Sequence, residues 1–397
     1  MSRTRVAIDL TPLLGRPTGV GVFATELLRH LVERADAGRP DPLGPLELVG
    51  FAVSWRGRGR LADLVPPGVR IARRPMAARP LREAWSRVEL PPIELFTGAV
   101  DVVHGTNFVV PPARRAARLV TVHDLTPVRF PELCNAHTLA YPRLIERAWR
   151  KGAWIHTDSR FVADEVRTWL KVRDADAERV VPVPLGVSAQ AHGDPVAGRR
   201  AAGAERYVLA LGTIEPRKGL VHLVRALDEL VELDDAHRSM DRRHPLHLVV
   251  AGPDGWGVDA FDRAVAAARH RDRIVRLGWV DDATRADLLA GAAVLAYPSV
   301  YEGFGLPPLE AMSVGVPVVC SDAGPLPEVT GDAAVRVPVG DHGALAAALA
   351  RVLHDDATRD RLAHAGPRRA AHFSWAHCAA ELAALYRRLD RRGPAIG

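Results

Sequence analysis

The stretch from Ala296 to Ser321, AYPSVYEGFGLPPLEAMSVGVPVVCS, constrains the fold more than any other. An apolar run, Ala292 to Tyr297, leads into it and reads as a buried strand. The turn Tyr301-Glu302-Gly303-Phe304-Gly305 follows, then a short helix from about Pro307 to Met312 and a second apolar strand, Val316 to Cys320. Pro307 and Pro308 suit the first helical turn, where a missing N–H costs little. The loop glycines permit unusual dihedrals and close backbone approach. Strand, glycine-rich turn and helix together place backbone N–H groups where an anion can be held. Two carboxylates flank that spot, Glu302 in the loop and Glu310 in the helix.

The same alternation runs through the chain. Arg5 to Leu10 reads as a first strand, followed by a loop, Thr11 to Gly21, with Gly15, Pro17, Gly19 and Gly21, and by a helix through Leu31. Its GRPTGVGVF is not the dinucleotide fingerprint G-x-G-x-x-G. Side chains at strand ends in open α/β sheets face the ligand crevice. Asn107 follows the strand Ala99 to His104, and His123 and Asp124 follow the strand Leu119 to Val122. A second series of elements starts near Tyr207. There the strand Val208 to Leu211 runs through GTIEPRKG into a helix, Leu220 to Leu230. Arg217 and Lys218 in this turn suit a pyrophosphate, one by directed pairs and the other as a compact charge. The turn is not a Walker A loop, which disfavours ATP hydrolysis. Further on, Gly278-Trp279-Val280 closes a short strand, with Trp279 expected to pack between elements.

Alternating strands and helices predict an α/β chain with two open parallel sheets. A chain of 397 residues, 48% apolar and 25% charged, has room for two globular domains. The net charge of +6 permits attraction to nucleotides, anionic lipid or nucleic acid without selecting among them. Many of the cations lie between Trp55 and Pro92, among them Arg56, Arg58, Arg73, Arg74, Arg79, Arg82 and Arg87. Cys134, Cys320 and Cys378 are scattered, with no zinc-like spacing or disulfide framework. No run has the length of a membrane span. A cytoplasmic protein is expected, with peripheral contact at the inner face of an anionic membrane compatible with the basic segment.

The glutamate pair within PSxYEGFGLPPLEAM resembles the signature of the retaining glycosyltransferases of family 4, whose fold is GT-B. The GTxEPRKxL and VHDLTP segments extend the resemblance over most of the chain. It implies two Rossmann-like domains facing each other across a deep crevice: residues 1–186 for the acceptor, a linker over 187–206, residues 207–372 for the donor, and a terminal helix, 373–397, crossing back to the first domain. It assigns Arg217 and Lys218 to the donor pyrophosphate, with Gly303, Phe304, Gly305 and Leu306 adding main-chain donors. Glu310 is assigned to the ribose, Gly278 to the base segment and Gly21 to the donor phosphate. Glu302 is expected to contact the sugar or to stabilise an oxocarbenium-like state. His123 is expected at the donor sugar, with Gly19, Asp124 and Asn107 as sugar or acceptor contacts. The catalytic group is thus Glu302, His123, Arg217 and Lys218.

The implied reaction is hexose transfer with retention to give an α-glycoside, in which the departing phosphate serves as the base. GDP-mannose and a mannose-containing oligosaccharide or polysaccharide are the first donor and acceptor. UDP- or ADP-sugars with a lipid-linked glycan form the alternative. No metal is expected to be essential, although a divalent ion is compatible with stimulation, and no specific nucleic acid is expected. Oligomeric state is left open. The reading from a different class is a nucleotide- or RNA-binding protein without catalysis, whose binding would depend on salt and survive loss of Glu302.

Overall fold

The computed structural model describes residues 3–15, 18–36, 45–136, 138–188, 193–237 and 244–392. The chain divides into two compact units, residues 1–186 with 374–397, and residues 187–373.

The first unit is built on a seven-stranded parallel sheet ordered β3-β2-β1-β4-β5-β6-β7. Its strands are β1 (Thr4–Asp9), β2 (Leu46–Phe51), β3 (Arg70–Ile71), β4 (Val102–Gly105), β5 (Ala117–Val122), β6 (Trp154–Thr157) and β7 (Val180–Pro182). β1 pairs in parallel with both β2 and β4, so the winding reverses between β1 and β4. The central strands are buried on both faces and therefore read as apolar runs rather than alternating ones. Val49, Phe51, Val103, Val120, Val122 and Ile155 lie in the core under Trp85 and Ile145.

The terminal helix Trp375–Arg392 belongs to this unit and packs on the helix Gly19–Asp36. It buries Leu382, Leu385 and Leu389 at helical spacing. Tyr386 of this helix anchors a buried polar chain across the sheet. Its hydroxyl is 2.7 Å from His104 Nδ1, and His104 Nε2 is 2.7 Å from Thr121 Oγ1. Thr121 Oγ1 is 2.9 Å from His156 Nδ1, and His156 Nε2 is 3.1 Å from the Val183 carbonyl. That carbonyl can only accept, so His156 Nε2 carries a proton, and with both imidazoles neutral every proton in the chain points the same way. Burial pushes both histidines below their ordinary range, in keeping with this arrangement.

The second unit holds a six-stranded parallel sheet ordered β10-β9-β8-β11-β12-β13. Its strands are β8 (Arg206–Leu211), β9 (Leu246–Ala251), β10 (Ile274–Gly278), β11 (Val294–Tyr297), β12 (Val318–Ser321) and β13 (Val335–Val337). The winding reverses between β8 and β11, which pair in parallel. Val208, Leu227, Val250, Val319, Leu345 and Leu349 form part of its core. Residues 195–202, inside the stretch expected as linker, form a helix instead of open chain. Asp194 accepts from the Val196 N–H, Pro195 occupies the first turn, and Gly203 closes the helix in the left-handed region. Residues 189–192 of that stretch, Pro17 of the first loop, the side chain of Arg58, and residues 393–397 lie outside the described residues. Among the described residues, no helix is long and apolar enough to cross a membrane.

Candidate functional site

The loops after β8 and β11 meet at the point where the second sheet reverses, the place where open α/β sheets bind ligands. After β8 the chain makes a short 3-10 turn, Pro216–Lys218, closed by Gly219 at φ 64°. A Cβ on Gly219 would stand 2.0 Å from the Pro298 carbonyl oxygen, so the turn lies directly on the chain that leaves β11. Glycine is required there by both sterics and dihedral. This close approach brings Arg217 and Lys218 to Glu302.

Glu302 is buried and accepts from four side chains. Its Oε2 takes the Arg217 guanidinium at 2.7 Å. Its Oε1 takes Lys218 Nζ at 2.7 Å, Ser299 Oγ at 2.7 Å and the Tyr297 hydroxyl at 2.9 Å. Burial acts to raise the carboxyl's pKa. Arg217, Lys218 and the hydrogen bonds outweigh it and bring the value down to about 2. Arg217 also donates to Glu215 at 2.7 Å, and Lys218 donates to the Tyr297 hydroxyl at 2.8 Å. Two cations and two carboxylates therefore balance. Burial nonetheless draws the Lys218 ammonium below its usual range, against the pull of Glu302.

The helix Leu306–Ser313 begins next to this cluster, with Gly305 as its cap at φ 106°. Pro307 and Pro308, in its first turn, have no N–H to contribute there. Phe304 packs its ring edge-on against Phe373 at 5.7 Å. Glu310, one turn further on, is buried and ion-paired to Arg285. Burial nevertheless outweighs Arg285 and raises its pKa, with Asp282 adding to the rise. Gly278 ends β10 at φ 70° with open space where a Cβ would be. Trp279 points its side chain into solvent, 52% exposed, and does not pack between elements as expected. The turn at Gly278 carries the chain off the sheet edge before the indole can reach the core.

In the first unit, His123 follows β5 and is buried. Its Nδ1 lies 2.7 Å from Asp158 Oδ2 and its Nε2 2.8 Å from the Thr106 carbonyl oxygen. Both partners accept, so both nitrogens carry protons. Burial opposes the charge, but Asp158, Thr106 and Asp124 offset it and hold the imidazole above its ordinary range. Asp124 accepts from the Thr126 N–H at 2.8 Å, at the start of a short helix. Asn107 enters a tight reversal in which its carbonyl accepts from Val109 at 2.7 Å across Phe108, held at φ 57°. Phe108 stacks on Tyr141 and meets His123 edge-on. Gly19 and Gly21 lie in the first turn of the helix Gly19–Asp36, not in the preceding loop. Neither needs a positive φ, so both continue the helix, and the Gly21 N–H reaches Thr18 Oγ1 at 3.4 Å.

The structure thus brings Glu302, Arg217 and Lys218 together in one unit and His123, Asp124 and Asn107 to strand ends in the other. Four participants were not singled out from sequence: Tyr297, Ser299, Arg285 and Asp158. Tyr297 and Ser299 stood in plain view in AYPSVYE, where hydroxyls five and three residues before a glutamate are a readable signal. Asp158 and Arg285 carry no such local mark. Among the described residues, no three His, Cys, Asp or Glu side chains converge as a metal site.

The family model of glycosyl transferases group 1 matches residues 198–369. The O-antigen chain mannosyltransferase B of Escherichia coli is 33% identical over 296 residues, spanning 72% of this chain and 74% of that protein. The D-inositol 3-phosphate glycosyltransferase of Kribbella flavida is 31% identical over 426 residues, spanning 95% and 92%. The structure of Anabaena Alr3699/HepE with UDP and glucose superposes with a TM-score of 0.69 at 16% identity, over 96% of this chain and 99% of that one, a likeness of fold. The chain therefore belongs to the retaining GT-B glycosyltransferases of family 4, which move a sugar from a nucleotide-sugar donor to an acceptor.

Proposed function

We propose that the protein transfers a hexosyl group from a UDP- or ADP-sugar, with retention, to a lipid-linked glycan. The observation that carries the donor site is the pair of cations, Arg217 and Lys218, gathered at the sheet reversal beside the N-terminus of the helix Leu306–Ser313. A diphosphate is the anion that suits two adjacent cations and a helix terminus. Glu310, one turn into that helix, is assigned to the ribose hydroxyls, and the main chain at Gly278 to the base. Charge building on the departing phosphate is met by Arg217 and Lys218, and that phosphate takes the acceptor's proton as the new bond forms on the same face. Glu302 stabilises positive charge on the sugar. His123, held as an imidazolium by Asp158 and Thr106, has both ring nitrogens committed. Its contribution is a fixed charge and a ring edge, while Asn107, Asp124 and Gly19 are assigned to the acceptor and sugar and Gly21 to the donor phosphate.

The named ligand of the HepE structure supports a UDP-sugar. Exposed Val88, Leu90 and Leu95, next to the helix Ala78–Arg87 with its Arg79 and Arg87, support a lipid-linked acceptor and contact with an anionic membrane. The second reading is GDP-mannose with a mannoside acceptor, favoured by the mannosyltransferase relative.

Calorimetric titration of the full chain with UDP, ADP and GDP, with and without magnesium, tests the site. Turnover of UDP-glucose, ADP-glucose and GDP-mannose then tests the donor. UDP or ADP should bind, and binding should be lost on replacing Arg217 and Lys218 together by alanine. A preference for GDP would favour the second reading. Folded protein that binds none of the three, or binding that survives the double replacement, would overturn the donor site.

A further inference from the structure

The geometry points to Tyr297 and Ser299 as positioning residues for Glu302, holding one carboxylate oxygen in place while the cations on the carboxylate are recruited by the donor phosphates. This rests on the donor reading above.

Glu302 Oε1 has three donors and Oε2 has one. They are of two kinds. Arg217 and Lys218 are cations, and a diphosphate competes for them directly. Tyr297 and Ser299 are neutral hydroxyls, 3% and 1% exposed, at the end of β11 and just beyond it. Their protons are committed. Lys218 has donors only, so the Tyr297 oxygen accepts from it at 2.8 Å and has one proton left, which goes to Glu302. Ser299 is fixed by its own backbone, whose carbonyl accepts from Ser321.

With the protein alone, Glu302 is the anion shared by the two cations, and Glu215 pairs with Arg217 besides. When a diphosphate draws them away, Oε2 loses Arg217, whereas Oε1 keeps Tyr297 and Ser299. The carboxylate then has one oxygen pinned and the other free to face an electron-poor sugar. Without the hydroxyls, its orientation would follow whichever cation it retained. Neither hydroxyl touches the donor in this account. Both act through Glu302.

Tyr297→Phe and Ser299→Ala in the full chain test this, with UDP affinity by calorimetry and steady-state rates on the nucleotide sugar that the wild type turns over. We expect kcat to fall roughly tenfold to a hundredfold, as for loss of a hydrogen bond to a charged group, and the UDP Kd to stay within about twofold. The acid limb of the kcat/KM profile should also move to higher pH, because the charged carboxylate has lost a donor. Equal losses in UDP affinity and rate, or unchanged kcat in both variants, would overturn the assignment. If Tyr297→Phe fails to fold, Ser299→Ala must still show the split between rate and affinity. A wild-type chain that binds UDP but turns over no nucleotide sugar overturns the functional reading and this assignment with it. Turnover by the wild type, matched by both variants, overturns the positioning role alone.

Discussion

Replacing Glu302 by glutamine should make the protein bind nucleoside diphosphate more tightly while nearly abolishing transfer. The carboxyl is drawn from 4.5 to about 2 by its partners, which corresponds to about 3 kcal/mol of preference for its charged form. Arg217 and Lys218 supply most of that pull, so a diphosphate arriving at them must displace an anion already in place. Glutamine keeps a carbonyl oxygen for Tyr297 and Ser299 and removes the competing charge. If roughly half of that preference is surrendered when the wild type binds UDP, the variant recovers about 1 to 2 kcal/mol, on the order of tenfold in Kd. Loss of the charge that faces the sugar should lower kcat by about a hundredfold or more, the scale seen on removing one preorganised electrostatic group. Calorimetry with UDP and an initial-rate assay on the same preparation read both quantities. Weaker UDP binding in Glu302→Gln, with the fold intact by circular dichroism, would refute the competition argument. An unchanged kcat would refute the assignment of Glu302 to the sugar.

Two further predictions concern the scaffold. His104 and His156 have folded pKa values below the 6.5 of the unfolded chain, so below pH 6.5 the unfolded state binds the extra protons and stability falls on acidification. His123, raised, acts in the other window: its stabilisation is full below pH 6.5 and is lost as pH rises through its folded value. Urea unfolding of wild type and His156→Asn between pH 6.5 and 5.5 should show a shallower slope in the variant, by up to about 1.4 kcal/mol per pH unit, and equal slopes would contradict the neutral chain. Gly219→Ala forces a left-handed dihedral and a clash with the Pro298 carbonyl. It should cost about 2 kcal/mol or more, seen as a fall of several degrees in the melting temperature of the 187–373 unit, and an unchanged melting temperature would refute the required close approach.

The two parallel sheets were legible because buried parallel strands leave short apolar runs separated by helices, a pattern that needs no partner to be recognised. The cluster at Arg217, Lys218 and Glu302 was legible for a different reason. Each half is a local signature, EPRK after one strand and YEGFG after another, and only their joining needed the strand order β8-β11. The parts that stayed hidden depend on that order more heavily. Asp158 reaches His123 because β6 pairs with β5, and Arg285 reaches Glu310 from a separate helix. Neither carboxylate nor guanidinium differs in sequence from its solvated neighbours. The first turn of the helix at Gly19 misled for a local reason. Glycines read as loop formers by propensity, but here the helix starts at them because its packing against the terminal helix outweighs their backbone entropy.

The environments of the two glutamates bear on which mechanism the site can support. A double displacement needs a carboxylate nucleophile and a second group to cycle a proton. Glu302 has four donors and a pKa near 2, so its lone pairs are largely committed and its basicity is low. Where a donor phosphate draws Arg217 away, Oε1 still keeps Tyr297 and Ser299, so only one oxygen of this weakly basic carboxylate is released toward the sugar. Glu310 is pushed the other way by burial, yet it is paired to Arg285 within the helix Leu306–Ser313. Neither is poised as a nucleophile, and they do not form an acid–base pair of the glycosidase kind. What the cluster does hold is charge: Arg217 and Lys218 paired directly with the buried carboxylate of Glu302, with Glu215 on Arg217, beside hydroxyls that do not titrate in the working range. That distribution favours a dissociative, same-face transfer in which the departing phosphate carries the proton and the protein supplies a fixed field.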